Sequence, residues 1–101
     1  MYQIKMSDTF WRSLNESGII TDLPPSALHA YHSAQQKPLG SGAQRIITGT
    51  HSDLYSILNT LKDLVDDINA RKRRACDFTD GGTAAIRRYA QQWPTLIKNA
   101  P

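Results

Sequence analysis
The chain has one cysteine, one glutamate and two methionines, and no apolar run near the roughly 18 residues of a membrane span. Each shortage removes a class of answer. Cys76 has no partner for an internal disulfide, which fits a reducing compartment. A membrane span is excluded by run length, and Met1-Tyr2-Gln3-Ile4-Lys5 lacks the apolar block of a signal peptide, so a cytoplasmic location is expected. With Glu16 as the sole glutamate, paired-carboxylate catalysis falls to Asp66-Asp67, adjacent residues on one solvated helix face. The local signatures that surround a nucleophilic serine or cysteine are missing. Gly40-Ser41-Gly42-Ala43-Gln44-Arg45 lacks the third glycine of a dinucleotide cradle, and no GKS or GKT triplet occurs. No CxxC or HExxH spacing is present. His29 and His32, with His51 or Cys76, form the best metal set, and it lacks a fourth ligand. The expectation is a protein without cofactor, metal or enzymatic activity. Cys76 lies beside four basic residues that would lower a thiol pKa, yet a helix-end cysteine packed on the core is the simpler reading.

What is present is one domain's worth of chain, 101 residues with 40% apolar content. Surface scaling at this mass gives about 5,700 Å² folded against about 16,400 Å² unfolded, so folding hides roughly 65% of the surface. That is sufficient for one core spanning residues 1–101.

Tyr2, Ile4 and Met6 alternate with Gln3 and Lys5, the period of a half-buried strand. Ser7 or Asp8 caps a helix over about 8–17 whose apolar side is Phe10, Trp11 and Leu14, and Gly18 supplies a left-handed stop. Ile19 and Ile20 fold back onto that side. Asp22-Leu23-Pro24-Pro25 is a rigid boundary. Residues 26–36 read either as a helix entered through the prolines or as a strand, with helix preferred for their Ala and Gln content. Lys37-Pro38-Leu39-Gly40-Ser41-Gly42 reads as a loop, the flexible segment near 37–43. Gln44-Arg45-Ile46-Ile47-Thr48 is a second strand, expected to pair with residues 2–6. Leu54, Ile57, Leu58, Leu61, Leu64, Val65 and Ile68 then recur at amphipathic spacing behind a Thr50-His51-Ser52-Asp53 capping box, predicting a helix over about 51–73. Ala85, Ile86, Tyr89 and Trp93 mark a third helix, and Thr95–Lys98 suggest one more turn. Trp11 and Trp93 both fall on apolar helical sides and read as core rather than as exposed anchors. The sum is an α+β domain, a two- to three-stranded antiparallel sheet packed by about three helices. A thin sheet also invites a homodimer.

Charge supplies the functional lead. Residues 1–70 carry five cations against seven anions, whereas residues 71–101 carry seven cations against two anions. Arg71, Lys72, Arg73 and Arg74 are consecutive, and Arg87 with Arg88 adds two more across a short turn. Six cations at one end would meet an acidic protein surface or the phosphates of nucleic acid, with Tyr89 or Trp93 as stacking groups. The competing reading is a solubilising helix end, in which some cations complement the helix dipole and Asp67 pairs with Arg71 one turn on. A weaker mode uses Asp63, Asp66 and Asp67 as a phosphate-like patch toward a basic groove.

The stretch Arg45-Ile46-Ile47-Thr48-Gly49-Thr50, a strand closing on a capped amphipathic helix after a strand that begins Met1-Tyr2, resembles small proteins borne by phages and mobile elements. Such proteins act as accessory factors or as inhibitors of host machinery, anti-CRISPR inhibitors among them, commonly by occupying a surface. The resemblance covers about a third of the chain and carries over no functional residue. It implies a non-enzymatic binding protein with a protein or nucleoprotein partner. Direct nucleic-acid binding through residues 71–88 is the alternative.

Overall fold
The computed structural model describes residues 2–39, 42–72, 86–88 and 95–96. The elements are β1 (Tyr2–Ser7), α1 (Asp8–Glu16), a 3-10 turn (Ile19–Asp22), α2 (Pro25–His32), β2 (Gln35–Leu39), β3 (Gly42–Gly49), α3 (His51–Asn69) and the two-residue strand β4 (Thr95–Leu96). The sheet is antiparallel in the order β2-β3-β1-β4. β1 pairs with β3 as expected, Ile4 opposite Ile47 and Met6 opposite Arg45. β3 thus lies between the parallel pair β1 and β2, and β1 between β3 and β4. This is the strand order of ferredoxin-like α+β domains, and among the described residues the first crossover holds α1 and α2 and the second holds α3 and the helical residues 86–88. That arrangement hosts many unrelated activities and carries no function by itself.

Local chemistry explains the boundaries. Ser7 Oγ accepts the amide of Phe10 at 3.1 Å and starts α1. Gly18 takes φ 75° and turns the chain into the 3-10 segment, which buries Ile20 in the core. Pro25 occupies the first turn of α2, where its missing N–H has no intrahelical acceptor to lose. Thr50 Oγ1 accepts from the Asp53 amide at 3.2 Å, while the Asp53 carboxylate accepts from Ser26 at 2.7 Å and ties α3 to α2.

Three expectations need correction. Within the expected loop of 37–43, residues 37–39 are the end of edge strand β2 and residues 42–43 open β3, with Lys37 opposite Gln44 and Pro38 opposite Ala43; residues 40–41 lie outside the described residues. Proline is tolerated there because an edge strand has one ladder and can spare an amide, which composition alone does not express. Thr95 and Leu96 extend the sheet opposite Gln3 and Tyr2 instead of forming a helical turn. Finally, α3 stops at Asn69 rather than near 73. The Arg71 amide returns to the Ile68 carbonyl at 3.0 Å and the Lys72 amide to the Asp67 carbonyl at 2.8 Å. This reciprocal pair is a Schellman stop, with Arg71 at φ 60° in the position glycine usually takes. Within the expected third helix, residues 86–88 are helical and Ile86 is buried; Tyr89 and Trp93 lie outside the described residues.

One face of the sheet builds the core. Ile4, Met6 and Ile47 meet Phe10 and Leu14 of α1, Ala27 and Tyr31 of α2, and Leu54, Ile57, Leu61 and Leu64 of α3 in a single cluster. A polar lock closes its flank. Asp8 is buried, and its carboxylate accepts from Arg45 Nε at 2.6 Å and Arg12 Nε at 2.8 Å. Arg45 also donates to the Ala34 carbonyl at 3.1 Å and lies 4.1 Å from the Trp11 ring centroid. Trp11 stacks on Tyr31 with centroids 5.3 Å apart. The two residues exchange hydrogen bonds, Trp11 Nε1 to the Tyr31 carbonyl and Tyr31 Oη to the Trp11 carbonyl. Trp11 is therefore structural, as its helical face implies, although half-buried.

The hydrogen bond from Arg45 holds the Asp8 carboxyl below its usual range; burial works against this, and the Arg12 and Arg45 charges reinforce it. A carboxylate with a lowered folded pKa adds stability that is complete above its unfolded pKa, about 3.9, and lost as pH falls through the lower folded value. Urea unfolding between pH 5 and 2 should therefore show stability falling with acid more steeply in the wild type than in an Asp8→Asn variant. Equal slopes would show that Asp8 does not carry the acid response.

Candidate functional site
The described charges are sorted by layer rather than only along the chain. The strands β1, β2 and β3 hold Lys5, Lys37 and Arg45 and no carboxylate. All seven anions of residues 1–70 lie on helices or the 3-10 turn: Asp8 and Glu16, Asp22, and Asp53, Asp63, Asp66 and Asp67. Four of them converge. The last two turns of α3 and the turn after α1 enclose a groove of about 410 Å³ lined by Asp22, Asp63, Asp66 and Asp67, with Thr60, Gly18, Ile19 and Leu64.

Sequence spacing places Asp63, Asp66 and Asp67 together, and the fold adds Asp22 from more than forty positions away. No periodicity could have found Asp22, because the 3-10 turn is brought beside α3 by tertiary packing, with Ile20 buried in the core and Ile19 packed against it. The ion pairs Arg12–Asp8 and Arg45–Asp8 both use Asp8, and Asp22, Asp63 and Asp66 take no part in them. The groove also sits at the negative end of α3, whose last turn contains no basic residue.

Immediately beyond it the chain turns basic. Arg71 and Lys72 are exposed on the Schellman turn, and Arg87 and Arg88 are exposed on the helical stretch that buries Ile86. Arg73 and Arg74 lie outside the described residues, as does Cys76. The expected pairing of Asp67 with Arg71 through helical spacing does not apply, since Arg71 has left the helix. Arg71 and Lys72 lie just past the last turn, next to the negative end of α3, so the dipole reading still applies to these two cations.

The histidines stand apart. His29 approaches Ser33 on α2, His32 packs edge-on to Tyr31, and His51 lies between Tyr2 and Tyr55. No three His, Cys, Asp or Glu among the described residues are placed to hold a metal ion. Nor is any helix among them long and apolar enough to cross a membrane. Comparisons with protein-family models, curated proteins and solved structures find no match to this chain, so its function must be argued from the charged end of α3.

Proposed function
We propose that this chain is a non-enzymatic binding protein, an inhibitor or accessory factor of the kind phages and mobile elements carry, that docks on a protein surface through the charged end of α3. One observation carries the reading: the C-terminal turn of α3 is built against its own stability. Asp66 lies in the last turn at the negative helix end, where a carboxylate is unfavourable by about 0.3–1 kcal/mol. Arg71 adopts a left-handed conformation that disfavours a non-glycine residue by about 1–2 kcal/mol. Local rules broken side by side at a surface mark positions where function outweighs stability.

The mixture of signs favours protein over naked nucleic acid at this end. A phosphate backbone brought to Arg71 and Lys72 would approach four aspartates of the neighbouring groove, whereas a protein surface can present cations to the groove and carboxylates to the arginines.

The test separates stability from binding. Affinity capture from the native host, with and without nuclease, identifies the partner, and titration calorimetry measures it. The double variant Asp63→Lys, Asp66→Lys should melt a few degrees higher, since about 0.5–1 kcal/mol is worth several degrees in a domain of this size, yet bind at least tenfold more weakly. Arg71→Gly should likewise stabilise and weaken binding. Unchanged affinity in both variants would sink the proposal.

A further inference from the structure
We draw no further inference here: the strongest candidate, the acidic groove of Asp22, Asp63 and Asp66 between the 3-10 turn and the last turns of α3, belongs to the docking site already proposed, and nothing among the described residues shows which ligand would fill it.

Discussion

Replacing Arg45 by alanine should destabilise the domain by about 2–4 kcal/mol, read as a fall of roughly 10–25 °C in melting temperature. Three losses coincide at this residue. Asp8 would keep only Arg12, whose side chain is 58% exposed and anchors a carboxylate weakly compared with the 16% exposed Arg45. The Ala34 carbonyl would lose its guanidinium donor, and the Trp11 ring would lose the cation seated 4.1 Å from its centroid. The full range for breaking a buried ion pair is about 3–5 kcal/mol, and partial exposure of the pair lowers it here. Arg45→Lys should recover only part of the loss, because an ammonium cannot donate to Asp8 and Ala34 as a planar fork while stacking on Trp11. The double variant Asp8→Asn, Arg45→Met should be less damaged than Arg45→Ala, since it leaves no unpaired buried charge: Arg12, the partner it strands, is solvent-exposed. A double variant that proves worse than either single one would show that the ion pair is not the source of the effect.

Leu61→Ala should remove about 2–5 kcal/mol, the cost of truncating a wholly buried leucine in a core that relaxes only in part. Leu61 is fully buried near the middle of α3, with Ile57, Leu58, Leu64 and Val65 on the same apolar stripe. In a domain whose total stability is of order 5–15 kcal/mol, that loss leaves a substantial unfolded fraction near body temperature. Chemical denaturation should show a lower midpoint with an unchanged slope. A loss below about 1 kcal/mol would mean that α3 is not held by its buried stripe. Tyr55, on the exposed side of the same helix and 42% accessible, gives the contrast, since truncating an exposed side chain usually moves stability by less than about 0.5 kcal/mol.

The elements most legible in the sequence are those whose signal is periodic and local. The α3 stripe, the Ser7 and Thr50 caps and the Gly18 stop all act within a few residues, and each forms as its spacing predicts. The misread segments depend on distant partners. Lys37 and Pro38 look like loop until β3 supplies a ladder, and Thr95 and Leu96 look helical until β1 offers an open edge. The end of α3 was misread for a different reason: a run of basic residues with good helix propensity gives no warning that Arg71 will take a left-handed turn. The candidate site follows the same division. Asp63, Asp66 and Asp67 share a helix and could be grouped from spacing, whereas Asp22 joins them only through the fold.

By itself the sequence determined an α+β domain with a long amphipathic helix, and an excess of positive charge in its last third, because composition and period are properties of the chain alone. Tertiary structure decided where that charge matters. Pairing β3 between β1 and β2 collects Lys5 and Lys37 on one face of the sheet, and packing the 3-10 turn beside α3 collects four aspartates in one groove. The physical reason is range: periodicity is set by neighbours three or four residues apart, but the field at a surface is summed over charges that only folding brings within a Debye length of about 8–10 Å.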